Sequence, residues 1–202
     1  GFAPLLPASG QAAPVNGVTV KSFSYSAAGP FKADDRIVGT LLGTPSGKAT
    51  FAIPGVVENV PMAELSPGDY VGSYTVPKGI SVVGGAAVGW LRFPGLSSPL
   101  IAATSPLTID SVPPVVSAAC PSDRAIVGAQ RPYIAASLAD PGGVGIDPAA
   151  VHIMLDNVDM TARAAITPHS VGVAPLAPLA AGLHHVFVSA ADKLGNSREA
   201  SW

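Results

Sequence analysis

Short runs in which apolar and polar residues alternate, cut at close intervals by Gly, Pro, Asn or Asp, make up most of this chain. A period of two places the apolar set of each run on one face of a strand. In the first half the pattern predicts strands over Val18–Ser26, Arg36–Gly43, Lys48–Ile53, Val60–Leu65, Asp69–Val76, Ala86–Phe93 and Leu100–Ile109. The turn Thr44-Pro45-Ser46-Gly47 predicts a hairpin between the second and third of these. In the second half strands are expected at Val115–Ala119, Pro132–Leu138, Ala150–Leu155, Ser170–Val173 and Leu183–Ala191, with short pieces around Ala125 and Val158. Asp147-Pro148-Ala149-Ala150 has the form of one helical turn, with Asp147 as cap and Pro148 at its first position. The 22 Gly and 21 Pro interrupt the chain too often for long helices, which leaves an all-β class.

Paired prolines in Ser111-Val112-Pro113-Pro114 mark a stiff connector between two such groups of strands. Seven short strands in about 90 residues is the count of an immunoglobulin-like sandwich. The chain therefore divides into an extended N-terminal tail (1–16), an immunoglobulin-like domain (17–110), a Pro-rich linker (111–114) and a second such domain (115–202). The fold class is two tandem immunoglobulin-like β-sandwich domains. After the turn Lys193-Leu194-Gly195-Asn196 only Arg198–Trp202 remain for a closing strand, so that strand is expected to be incomplete or supplied by another chain. Trp90 alternates with Val88 and is expected in the first core. Trp202 reads either as a plug of the second core or as an anchor on a neighbouring subunit.

Gly43-Thr44-Pro45-Ser46-Gly47-Lys48-Ala49-Thr50-Phe51, Val60-Pro61-Met62 and Ser66-Pro67-Gly68-Asp69-Tyr70-Val71-Gly72-Ser73-Tyr74-Thr75-Val76 resemble the Ig-like modules strung along bacterial surface and secreted proteins. The second half is similar to another module of those arrays through Asp110 with Pro113-Pro114, Gly145-Ile146-Asp147-Pro148, and Asp192–Asn196. These are turn and strand signals, so the resemblance implies a fold and an extracellular or cell-surface setting more than an activity.

Charge and chemistry narrow the function classes. The net charge is −2 with no basic stripe, which argues against nucleic acid, and no apolar run is long enough to span a membrane. Only 12% of residues are charged and the mean hydropathy is +0.43, which reads either as Ala and Gly raising hydropathy without apolar patches or as surface buried in an assembly. No nucleophile elbow, zinc-protease or phosphate-loop motif is present, so no enzymatic activity is expected. Cys120, the one cysteine, is expected to be semi-buried and inert. His184 and His185, adjacent in a predicted strand, must face opposite sides, which does not suit a shared metal.

The acidic residues converge if the second domain follows immunoglobulin topology. Its entry linker and two of its loops then share one pole, bringing together Asp110, Asp140, Asp147, Asp192 and Asn196, with Asp34 and Asp35 near by. Carboxylates on Gly-rich turns suit Ca²⁺, although Asp and Asn also cap turns through their own backbone. No other cofactor is expected. The tail carries Phe2 before Pro4 and Leu5 and Leu6 between Pro4 and Pro7, a composition that suits either docking along a sheet edge or a flexible linker from a longer multidomain protein. The leading expectation is a structural subunit polymerising with copies of itself, head to tail, by strand complementation. The alternative is a spacer or binding module of a larger bacterial adhesin or secreted enzyme.

Overall fold

The computed structural model describes residues 17–26 and 29–202. The expected docking residues Phe2, Leu5 and Leu6 lie outside the described residues. Most buried apolar side chains fall into two clusters, one from Phe23 to Ile109 and the other from Ile134 to Ala190 with Trp202 packed against it.

The first cluster is enclosed by β1 (Val20–Tyr25), β2 (Arg36–Gly43), β3 (Lys48–Ile53), β4 (Val57–Ser66), β5 (Asp69–Thr75), β6 (Ser81–Gly85), β7 (Val88–Phe93), β8 (Leu96–Ser97), β9 (Ile101–Ala102) and β10 (Leu107–Asp110). The hydrogen-bonded order is β1-β2-β5-β4-β3-β7-β8, with β9 also on β7 and β10 on β6. β4 pairs first with β3, as in Ala49 opposite Met62, and then with β5, as in Ala63 opposite Val71. The sheet turns a corner there and folds its two halves face to face. Gly39 on β2 and Gly89 on β7 mark how closely they meet. A Cβ at Gly39 would touch Phe51 and Phe23, and one at Gly89 would touch Phe23 and Leu41. The residues Ser81 to Asp110 form one long interrupted hairpin, with Phe93 opposite Leu96 at the turn and Ser81 opposite Asp110 at the open end.

The second cluster lies between two four-stranded sheets. β11 (Val115–Cys120), β12 (Ile134–Ala139), β16 (Ser170–Val173) and β15 (Ala165–Thr167) form one, in the order β11-β12-β16-β15. β14 (Val158–Asp159), β13 (His152–Leu155), β17 (Val186–Ala191) and β18 (Ser197–Ser201) form the other, in the order β14-β13-β17-β18. Alternation sets the faces: Val186, Val188 and Ala190 point inward against Ile134, Ala136 and Leu138. Each such side chain, fully buried, contributes roughly 1.5–3 kcal/mol of gross burial free energy if it is Val, Leu, Ile or Phe. This grouping, four strands against the hairpin-linked other set, is that of an immunoglobulin-like sandwich, and the first cluster has the same grouping with its corner closed by β4.

Several expectations are corrected. β2 and β3 have the predicted bounds but do not pair with each other: β2 lies between β1 and β5, β3 between β4 and β7. The turn Thr44–Gly47 crosses from one layer to the other, where Tyr70 on β5 holds it by donating to the Thr44 carbonyl (2.8 Å) and accepting from the Gly47 N–H (2.9 Å). Trp90 is buried but outside the first core. Gly89 and Leu91 take the inward positions of β7, and Trp90 packs on the outer face with the Arg92 guanidinium 5.7 Å from its ring. Cys120 is exposed. Neither His184 nor His185 belongs to a strand, because β17 starts at Val186.

The closing strand of the second sandwich is present within the chain. β18 runs antiparallel along β17 from Ala191–Ser197 to Phe187–Ser201, and Trp202 exchanges backbone bonds with Val186 beyond it. The edge that a donated strand would need on β17 is occupied.

Candidate functional site

The connection between the two sandwiches is built on buried polar groups. Ser111, 3% exposed, is tied into the first sandwich: its Oγ donates to the Pro77 carbonyl at 2.8 Å and accepts from the Ile80 N–H at 2.9 Å. Asp110 before it is fully buried, and its carboxylate reaches both ways along the chain. Oδ1 accepts from the Val112 N–H at 3.2 Å, and Oδ2 accepts from the Val144 N–H of the second sandwich at 2.8 Å. Ser81 of the first sandwich also donates to the Gly142 carbonyl.

Two loops of the second sandwich complete the site. Asp140, directly after β12, accepts from the Gly145 N–H at 2.6 Å through Oδ2, while its Oδ1 is buried without a hydrogen-bond partner. Asp192, directly after β17 and 2% exposed, accepts through Oδ1 from the N–H groups of Leu194 (2.8 Å) and Asn196 (3.0 Å). Asn196 Nδ2 donates both to Asp192 Oδ2 (2.6 Å) and to the Asp110 carbonyl (3.0 Å), linking the last turn to the first sandwich. One oxygen each from Asp110, Asp140 and Asp192 lies within 4.8 Å of the others. The backbone at Gly143 passes so close that a Cβ there would strike the carboxylates of Asp140 and Asp110.

Of the residues expected at this pole, Asp110, Asp140, Asp192 and Asn196 are brought together. Asp147 is not part of the carboxylate group; its Oδ1 caps the 3₁₀ turn Pro148–Ala150 by accepting from Ala149 N–H at 3.0 Å, as its sequence context predicts. Asp35 likewise caps locally, accepting from Lys32 N–H, and Asp34 is held by its backbone to Val76. Gly143 and the main-chain donors at Val144 and Gly145 were missed. Only the Gly142-Gly143 and Gly145 spacing hinted that backbone would approach something there.

The electrostatics of this group are unfavourable as it stands. Burial pushes the Asp140 carboxyl above the usual carboxylate range; the Gly145 N–H opposes this, and the charges of Asp110 and Asp192 add to it. Among the described residues no Lys, Arg or His forms an ion pair with any of the three. Such an array favours either a proton or a hard cation, whose oxygen donors would be these carboxylates.

A second polar feature lies at the opposite pole of the second sandwich. The β13–β14 turn places Asp156 and Asn157 at φ of 50° and 65°, the pair of positive values that a two-residue type I′ turn requires. Asp156 accepts from His185 N–H at 2.8 Å and pairs with His184 Nδ1 at 2.7 Å, while His184 Nε2 sits 2.9 Å from the Ala180 carbonyl. Both ring nitrogens face acceptors, so the doubly protonated imidazolium satisfies both. The bond to Asp156 and then the Ala180 carbonyl raise the His184 pKa, and the bonds from His184 and then His185 lower that of Asp156. The raised His184 pKa adds stability that is complete below the unfolded value near 6.5 and is lost as pH rises through the folded value. The lowered Asp156 pKa adds stability present above its unfolded value near 4 and lost as pH falls through the folded one. NMR titration is expected to place His184 above 6.5 in the wild type and to return it towards 6.5 in Asp156→Asn; an unshifted His184 in the wild type would rule the pair out.

No family model matches the sequence, and no curated protein matches it. Among solved structures, the chain is similar to one described as the anomalous substructure of titin-A168169, with TM-score 0.43, 9% identity, and coverage of 92% of this chain and 96% of that one. It is also similar to the titin domains Z1Z2 in complex with telethonin, with TM-score 0.32, 12% identity and coverage of 92% and 94%. The immunoglobulin-like assignment rests on the strand order itself. Among the described residues no helix is long and apolar enough to cross a membrane.

Proposed function

We propose that this chain is a two-module spacer of an extracellular or cell-surface protein, whose modules are held at a set angle by a divalent cation bound where they meet. The observation that carries this reading is the convergence of Asp110, Asp140 and Asp192, from three separate segments, with one buried oxygen of Asp140 unpartnered. Ca²⁺ fits the donor set, since every ligand atom offered is oxygen and the Gly-rich loop at 141–145 lets backbone close around it. A site that offers three carboxylates where two extracellular modules meet is assigned to the weak class, ~10⁻⁴–10⁻³ M, that matches extracellular calcium. The filament reading by strand complementation loses its support because β18 fills the edge on which it depended.

Calcium titration followed by calorimetry and small-angle scattering tests the proposal. Binding of one ion is expected, with a rise in the melting temperature and a narrower distribution of interdomain angles. Asp140→Asn should weaken binding at least tenfold. Protons compete at the raised Asp140 carboxyl, so affinity should fall as pH is lowered through its folded pKa. Absence of binding at millimolar calcium and neutral pH would overturn the reading in favour of a carboxylate group neutralised by a proton.

A further inference from the structure

The second sandwich is open at the pole away from the first. A cavity of about 670 Å³ lies between the connection from β11 to β12 and the connection from β16 to β17, and it reaches the core residues Ile134, Leu155 and Val186. Ile126 and Leu183 stand at its mouth fully exposed, at 103% and 96%. Trp202 packs at its inner end, and the indole Nε1 is buried with no acceptor. A buried N–H without a partner costs about 1–3 kcal/mol, so a carbonyl brought to it would be favoured. The volume lies within the range that holds a peptide segment of a few side chains.

We propose that this cleft binds residues 2–8 of a second copy of the chain, joining molecules head to tail. Phe2-Ala3-Pro4-Leu5-Leu6-Pro7-Ala8 contains a Pro-x-x-Pro spacing with apolar residues between and before the prolines. Such segments favour the polyproline II form, lose little entropy on docking, and leave their carbonyls free for a donor such as the indole N–H of Trp202, which lines this otherwise largely aliphatic cleft. The prolines that exclude the tail from a central strand are an advantage in this mode of binding.

The fold fixes who the partner must be. The chain enters the first sandwich at Thr19, whose backbone bonds Thr44 in the turn between β2 and β3, the pole opposite to Asp110. The tail therefore leaves one end of the molecule and the cleft opens at the other. Residues 1–16 fully extended reach at most ~56 Å, whereas two sandwiches of this size end to end span on the order of 70 Å. The tail cannot fill its own cleft, and the contact is heterologous, so it propagates into chains of molecules. The contact involves no junction carboxylate and is independent of the cation.

Sedimentation equilibrium on the full chain and two variants tests this. One variant lacks residues 2–8; the other carries Leu183→Asp, at an exposed position that leaves the core intact. The wild type is expected to associate with rising concentration, and each variant alone to associate at least tenfold more weakly. Mixed together they should form one-to-one dimers, since one supplies a cleft and the other a tail. A synthetic peptide of residues 1–10 should dissociate the wild-type polymer. A wild type that stays monomeric at millimolar concentration overturns the proposal, as does association that survives in either variant alone. Dimers that fail to form in the mixture, with circular dichroism confirming both folds, would also overturn it.

Discussion

Phe51→Ala is expected to split thermal unfolding of this chain into two transitions, by lowering one by ~3–5 kcal/mol and leaving the other in place. Phe51 is fully buried, its ring centroid lies 6.0 Å from that of Phe23, and it fills the space that Gly39 on the opposite layer leaves open. Truncation removes most of a large side chain from the centre of the first core. The β strands around it cannot collapse into the gap without breaking the pairing of β3 with β4 and β7 on either side. None of the residues of the second core touches this cluster. Calorimetry is expected to resolve a low transition for the first sandwich and an unchanged one for the second. A single transition that shifts as a unit would mean that the junction couples the two sandwiches by more than the cost of the cavity.

The contrast between β3 and β18 explains which parts of the fold were legible in the sequence. β3 sets Ala49, Phe51 and Ile53 in alternation with Lys48, Thr50 and the small Ala52 and is bounded by Gly47 and Pro54, so its limits could be read to the residue. Alternation states which face is inward but not which strand lies alongside, and a turn of four residues serves a hairpin or a crossing between layers equally well. That is why β2 and β3 were assigned to each other. β18 has the opposite character: Ser197, Arg198, Glu199 and Ser201 are exposed and only Ala200 is partly covered. It is a strand by backbone pairing alone, and no apolar period announces it. On β7 the phase was misread because the inward position nearest Phe23 is Gly89, which has no side chain to reveal it, while the conspicuous Trp90 faces outward. The carboxylate group was legible because it depends on topology: Asp110 is the last residue of β10, and Asp140 and Asp192 directly follow β12 and β17, all at one pole. Asp147 was drawn into the same set by its neighbourhood, but a local cap at Ala149 was within reach and held it.

The junction should be the place where one polar substitution costs as much as a core truncation, and Asp192→Ala is the variant that tests it. The Asp192 carboxylate is 2% exposed and accepts from three donors, the backbone N–H groups of Leu194 and Asn196 and the side-chain amide of Asn196. Removing it leaves those donors without their acceptor in a place where water has little access, at ~1–3 kcal/mol for each that stays buried. One term acts the other way, because the negative charge of Asp192 also burdens Asp140. At an effective dielectric of about 20 that relief is worth at most a few kcal/mol, and it is screened further where the loops meet solvent. The hydrogen-bond loss is expected to win, giving a net destabilisation of the second sandwich of about 3 kcal/mol. Asn196 would also lose the group that holds its amide against the Asp110 carbonyl, so the angle between the sandwiches should broaden in small-angle scattering even without calcium. Asp192→Asn separates the two effects: it keeps one acceptor oxygen while removing the charge, and should cost less than half as much in denaturant unfolding. If Asp192→Ala leaves unfolding within about 0.5 kcal/mol of wild type, the repulsion among the carboxylates outweighs their bonding, and the junction is held by something other than this group.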